Sequence, residues 1–279
     1  MIGVVDAGGG MRGIYGAGIF DYCMEKDITF DYCIGVSAGS ANTVTYIAGQ
    51  RGRCFDFYAD YAFRKEYMSL RELIRNKNYV NLDYIYGTLS NSDGENPLDY
   101  EAVMASDKQL CVVATDADTG KPVYFTKDDM AQDNYDIIKA SCCVPVANRP
   151  YEIDGKRYFD GALSDPLPIH KAFDEGCSKV VLILTRPRDY YRPANRDDRL
   201  AAFIKRKYPE AAKGMASRYK RYNLCLDLAK EYEQEGKLLI VAPDNIGKSK
   251  TLTRDRDTQI LLYYKGLRDA QAIEDFLSK

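Results

Sequence analysis

The stretch Ile2-Gly3-Val4-Val5-Asp6-Ala7-Gly8-Gly9-Gly10-Met11-Arg12-Gly13 decides the fold. Its first part, Ile2–Val5, is a short apolar run. The run breaks at Asp6-Ala7-Gly8-Gly9-Gly10, and a periodic apolar stretch follows to about Glu25. That order reads as strand, glycine loop, helix. Successive glycines after a strand free the backbone to turn several N–H groups into one concavity. The helix N-terminus behind them adds the positive end of its dipole. Such a nest suits a phosphate or a developing oxyanion equally well. From this chain's composition, four glycines and a basic residue in this arrangement arise by chance about 0.001 times per chain. The bland alternative is a tight strand-to-helix turn and nothing more.

The same six residues, Gly8 to Gly13, satisfy Gly-x-Gly-x-x-Gly, the dinucleotide fingerprint. That fingerprint wants an acid at the end of the second strand to hold a ribose. The acid available, Asp31, precedes the apolar run Tyr32–Ile34 instead of following it. A dinucleotide-binding Rossmann protein is therefore the weaker reading of the loop.

The second strand runs into Gly35-Val36-Ser37-Ala38-Gly39, a Gly-x-Ser-x-Gly. A strand-to-helix elbow lifts a serine hydroxyl out of the sheet edge, and flanking glycines relieve the crowding. Twelve serines make a chance match about 0.07 per chain. Context strengthens it: an apolar strand precedes, and Ala38, Gly39, Ser40 and Ala41 open a small-residue helix to Ala48. The competing role for Ser37 is to cap that helix.

A serine nucleophile needs a base. The order Ser37, Asp160, His170 matches the α/β-hydrolase order of nucleophile, acid and histidine. His170, however, lies in Pro168-Ile169-His170-Lys171-Ala172, the first turn of a helix, where a solvated or packing role is the simpler one. Asp160 ends a strand and is followed by Gly161-Ala162, placed to face a neighbouring elbow. An unperturbed carboxylate near pKa 3.9 is a poor base for a hydroxyl, so desolvation must tune it. Read alone, Asp-Gly is also a common turn.

Together, Gly8-Gly9-Gly10-Met11-Arg12-Gly13, Gly35-Val36-Ser37-Ala38-Gly39 and Asp160-Gly161-Ala162 resemble the patatin-like phospholipase family, bacterial members included. The likeness covers about residues 3–172. Ala140-Ser141-Cys142-Cys143-Val144-Pro145 also resembles the small-residue-then-proline stretch lining that family's site. The resemblance implies a three-layer α/β/α fold with a mostly parallel central sheet. It implies a serine lipid acyl hydrolase, a phospholipase-A-type esterase working through a Ser–Asp dyad and an acyl-enzyme. Ser37 is then the nucleophile and Asp160 its base. The amides of Gly8, Gly9 and Gly10 form the oxyanion hole, with Arg12 closing or steadying the loop. Gly13, Gly35, Gly39 and Gly161 support the motifs, and no metal or organic cofactor is needed. One departure is Ser164-Asp165-Pro166, where relatives often carry Asn, so Asp165 competes for polar partners near the site.

Composition bounds the rest. The 279 residues are 46% hydrophobic and 29% charged with a net charge of −2, which is globular and selects no polyanionic partner. One histidine rules out a two-His metal centre. Eight cysteines without a Cys-x-x-Cys pair are too few for a disulfide scaffold. No leader pattern follows Met1, and the longest aliphatic runs, Val180–Leu184 and Leu238–Ala242, are far short of the ~20 residues of a membrane span. A cytoplasmic protein with reduced thiols is the resulting expectation.

Alternating strands and helices argue a parallel sheet covered on both faces. Leu110–Thr115 and Val123–Thr126 read as a hairpin; Val180–Leu184 and Leu238–Val241 read as strands in the middle of a parallel sheet. One domain over 1–279 is expected, with 173–279 as an extension packed on the core. Phe55, Phe57, Tyr58, Tyr61, Phe63 and Tyr67 form either a cap over the site or ordinary aromatic core. Residues 186–222 hold twelve Lys or Arg against four acids. They read as a solvated face or as a peripheral contact with an anionic membrane; nucleic acid is not expected. A non-catalytic lipid-headgroup or nucleic-acid binding module remains the alternative to an enzyme.

Overall fold

The computed structural model describes residues 1–278. β1 (Ile2–Asp6), α1 (Ile14–Glu25), β2 (Tyr32–Val36) and α2 (Ala38–Ile47) come first, then the short helices α3 (Arg53–Ala59), α4 (Leu70–Asn76) and α5 (Tyr100–Ala105). β3 (Gln109–Asp116), β4 (Pro122–Thr126), α6 (Asp136–Ser141), β5 (Tyr151–Ile153), β6 (Lys156–Asp160), α7 (Ile169–Asp174) and β7 (Lys179–Ile183) follow. The chain ends with α8 (Asp198–Ile204), α9 (Pro209–Gln234), β8 (Leu238–Val241), α10 (Arg256–Asp269) and α11 (Gln271–Ser278).

All eight strands join one sheet. β1 is central, with β2 and β7 parallel on either side, β3 beyond β2 and β8 beyond β7. β4, β5 and β6 are the antiparallel additions. Residues alternate between two apolar layers, as strand geometry requires. Val4, Cys33 and Val112 face one layer, which includes α1 and α2. Val5, Ile34 and Val113 face the other, which includes α7 and α9. The three-layer α/β/α arrangement with a mostly parallel sheet is therefore present.

One strand departs from expectation. Leu238–Val241 is an edge strand, not a middle one. Its continuous aliphatic run reflects cover from α9 and α11 rather than a second neighbour. Two helices, α10 and α11, follow β8, the first capped by Asp255, which accepts from the Thr258 amide. Residues after 173 add two strands to the sheet and bind the first helix closely. Tyr15 donates to Asp269 at 2.9 Å and Tyr263 to Asp21 at 2.7 Å. Among the described residues no helix is long and apolar enough to cross a membrane.

The register on β3 positions the site. Val113 pairs with Val36 of β2 and Tyr124 of β4; Ala114 pairs with Asp160 of β6 and Val123 of β4. A strand residue has one partner on each edge, so β2 and β6 share the edge opposite β4. β2 is parallel to β3 and β6 antiparallel, so their C-terminal ends meet head to head there. The residue after Val36 is Ser37, and the last residue of β6 is Asp160.

Candidate active site

Ser37 sits at the turn from β2 into α2 with φ 56° and ψ −130°. Positive φ in a non-glycine residue costs on the order of 1–3 kcal/mol, and persists where the surroundings impose it. The surroundings do so here. The Ser37 amide donates to Ser141 Oγ at 2.9 Å, and Ser141 Oγ donates to the Val113 carbonyl at 2.7 Å. The Ser37 carbonyl accepts from both the amide and the hydroxyl of Ser40. Its side chain makes no capping bond to α2. The elbow thus leaves the hydroxyl uncommitted to the helix, which removes the capping role.

Close packing explains the flanking glycines. A Cβ at Gly39 would lie 2.2 Å from the Asp6 carbonyl, and one at Gly161 would lie 2.1 Å from the Val113 carbonyl. Gly35 and Gly13 pack against Ser40 and Tyr58 respectively.

Asp160 is 4% exposed, Ser37 7%. Asp160 Oδ1 accepts from the Ala162 amide at 2.9 Å. Burial pushes the carboxyl up from its ordinary range, while the charge of Arg218 and interaction with the Ser37 hydroxyl work in the opposite direction. The result is a desolvated carboxyl facing a serine, with one cation acting on it from α9.

The glycine loop has Gly8, Gly9 and Gly10 all at positive φ. It passes over the elbow, with Gly8 beside the Val36 carbonyl and the Ala38 and Gly39 amides. Its donors are not equivalent. The Gly8 amide is bonded to Asp6 Oδ1 at 2.8 Å, so it is not free to receive an oxyanion. This corrects the expectation that the Gly8 amide joins those of Gly9 and Gly10 in an oxyanion hole. Among the described residues the Gly9 and Gly10 amides have no acceptor, nor has that of Ala38 in the first turn of α2. Arg12 steadies the loop: Nε donates to the Thr185 carbonyl at 3.2 Å, Nη1 to Thr251 Oγ1 at 3.4 Å. Thr185 in turn donates to the Gly8 carbonyl.

Two residues central to this geometry were not singled out from the sequence. Asp6 is fully buried and also accepts from Asn42 Nδ2 at 2.8 Å. Burial pushes its pKa to about 6, against lowering by Asn42 and the Gly8 amide. An acid ending an aliphatic strand just before a glycine loop was the available signal. Ser141 carried only a coarse signal, its place in the small-residue stretch before Pro145.

The remaining candidates lie away from Ser37. His170 is exposed and lies 3.6 Å from Asp165, outside the cavities that Ser37 lines. Asp165 accepts from Tyr124 at 2.8 Å and faces His170, so it does not compete within the site. Asp31 accepts from the Ile2 amide at 2.6 Å at the start of β2, the opposite end from the glycine loop. A ribose-binding role is thereby lost, and the dinucleotide reading with it. Among the described residues no three His, Cys, Asp or Glu side chains converge as a metal set would.

Ser37 stands where two hollows meet. One is narrow and apolar, about 70 Å3, lined by Ala38, Phe57, Tyr58, Tyr67, Ile85 and Cys142 among others. Of the aromatics between 55 and 67, Phe57, Tyr58 and Tyr67 therefore wall the site while also packing into the core, whereas Phe63 is exposed. The other is a cavity of about 690 Å3, lined by Asp160, the loop glycines and several arginines, with Leu73 and Leu200 at α4 and α8. The basic stretch 186–222 is divided accordingly. Arg186, Arg192 and Arg218 line this cavity, and Arg221 donates to the Leu163 carbonyl.

The family description "Patatin-like phospholipase" matches residues 4–173, and "Domain of unknown function (DUF6363)" matches 208–278. The chain is 30% identical over 198 residues to the uncharacterized protein YjjU of Escherichia coli K12, covering 69% of this chain and 54% of YjjU. It spans about half the length of that relative. The crystal structure of VipD from Legionella pneumophila has the same fold, with a TM-score of 0.51 and 14% identity, over 98% of this chain and 66% of that one. With a family match across more than half its length and the motif residues gathered at one junction, this chain belongs to the patatin-like phospholipase family.

Proposed function

We propose that the protein is a lipid acyl hydrolase that cleaves carboxylic esters through a Ser37–Asp160 dyad. The carrying observation is Ser37 on a strained elbow, uncapped, beside a buried carboxylate and between an apolar pocket and a polar cavity. Ser37 Oγ attacks the acyl carbonyl and its proton passes to Asp160. Gly9, Gly10 and Ala38 amides receive the oxyanion, which needs donors held in place before charge develops. Collapse expels the alcohol, which takes the proton back from Asp160. Water, deprotonated by Asp160, then releases the fatty acid and restores Ser37. The apolar pocket receives the start of the acyl chain.

Peripheral contact with a membrane fits the rim of the cavity. Ile74 of α4 is 81% exposed and Phe203 of α8 is 77% exposed; Leu70 and Leu200 are exposed beside them. Lys205, Arg206 and Lys207 follow Phe203 and Ile204 in sequence. Exposed apolar side chains rimmed by basic ones suit an anionic lipid surface. The test is turnover of short-chain p-nitrophenyl esters by wild type and Ser37→Ala. Turnover abolished by the substitution supports the proposal. Full activity in Ser37→Ala sinks it.

A further inference from the structure

Arginines from three separate parts of the chain wall the large cavity beside Ser37: Arg12 at the glycine loop, Arg186 after β7 and Arg218 on α9. Between them lies a smaller pocket of about 50 Å3, closed by the Gly8–Gly9 backbone, Arg192 and Tyr222. That is several times the ~10–15 Å3 that one water occupies. Arg192 is already neutralised by Asp197, with contacts of 2.6–2.9 Å. The other three differ. Among the described residues Arg12 donates only to a carbonyl and a hydroxyl, and Arg186 lies over the Tyr190 ring at 4.3 Å. Among the described residues Arg218 Nε is buried without a hydrogen-bond partner, and Asp160 and Asp197 both act on its charge without forming a salt bridge to it.

Burial, then the like charges of Arg186 and Arg196, bring Arg12 down to about 9. Burial and Arg192 bring Arg218 down to about 10. Guanidinium groups crowded together without salt bridges of their own repel one another, and a bound anion relieves that repulsion. Their planar forks match phosphate oxygens, and a phosphate monoester carries about −1.5 to −2 charges at neutral pH.

We propose that this pocket is an anion subsite for a phosphate on the alcohol side of the ester. It selects substrates whose headgroup has net negative charge over zwitterionic and neutral ones. The selectivity rests on the hydrolase reading of Ser37; the anion site itself does not. A quaternary ammonium brought into the same pocket meets unneutralised arginines, so it loses what its phosphate gains.

Three short soluble esters isolate the effect: monohexanoyl glycerol 3-phosphate, monohexanoyl glycerophosphocholine and monohexanoyl glycerol. The expected kcat/KM order is that order, with the phosphate monoester at least about tenfold ahead of the neutral ester. In Arg186→Gln the phosphate-to-neutral ratio falls severalfold. Equal ratios for wild type overturn the substrate role. Independently, calorimetry on Ser37→Ala protein compares sn-glycerol 3-phosphate with glycerol. Binding of the phosphate alone, weakened by adding Arg186→Gln, supports the subsite even if no ester is ever turned over. That combination would separate failure of the hydrolase reading from failure of the subsite. Phosphate binding alongside equal kcat/KM values would assign the site to a free phosphate ligand, against the substrate role proposed. No phosphate binding overturns the subsite outright.

Discussion

The first 172 residues and those after them use charge and glycine differently. In the first part a few residues carry geometry that is nearly local. The glycine loop follows β1 directly and Ser37 follows β2 directly, so each motif sits at a strand end by construction. In the second part the same sequence stretch, 186–222, sends charges in opposite directions. Arg186 and Arg218 line the cavity beside Ser37, whereas Lys205, Arg206 and Lys207 are exposed. A motif that ends a strand can be located before the fold is known. A basic run cannot, because which side it faces depends on how α8 and α9 pack.

The comparison can be broken most sharply at Asp160. Asp160→Asn keeps an oxygen for the Ala162 amide, so the fold is retained. On the dyad account it lowers kcat with esters by about 10³-fold or more, as expected when a unit acting on the nucleophile is lost. Unchanged kcat in steady-state assays would place the base elsewhere.

A smaller loss is expected at Ser141. Ser141→Ala removes both the acceptor for the Ser37 amide and the bond to Val113. Misplacing a nucleophile costs about 10–100-fold in kcat. A fall in thermal stability with kcat intact would make Ser141 structural alone.

The two parts are joined through Arg218 and Asp160. On the dyad account Asp160 must be ionised to take a proton, so the account predicts that activity falls as pH drops through its raised pKa. Arg218 lowers that pKa, so Arg218→Gln raises it, and the acid limb of the kcat profile moves to higher pH. A shift to lower pH would contradict the assignment. Smallest of all is His170→Ala, which should leave kcat/KM within about twofold, because the ring contacts Asp165 away from Ser37. A loss matching that of Asp160→Asn would revive a triad.

Much of the layout was legible because strand, glycine loop and elbow are consecutive in sequence. Three things were not. That Gly8 spends its amide on Asp6 depends on how the Asp6 side chain folds back. The link from Ser141 to Ser37 spans 104 positions in the chain and depends on β3, whose Val113 carbonyl accepts from Ser141. That Leu238–Val241 lies at an edge was hidden, because helices covering an edge strand demand the same aliphatic residues as neighbouring strands do.

The central claim is that Ser37 is an activated nucleophile. Wild type, Ser37→Ala and Asp160→Asn would each be incubated with a fluorophosphonate and weighed intact by mass spectrometry. The account predicts one adduct on wild type, none on Ser37→Ala, and strongly slowed labelling of Asp160→Asn. A folded wild-type protein that takes no adduct, or a Ser37→Ala protein that still takes one, would contradict it.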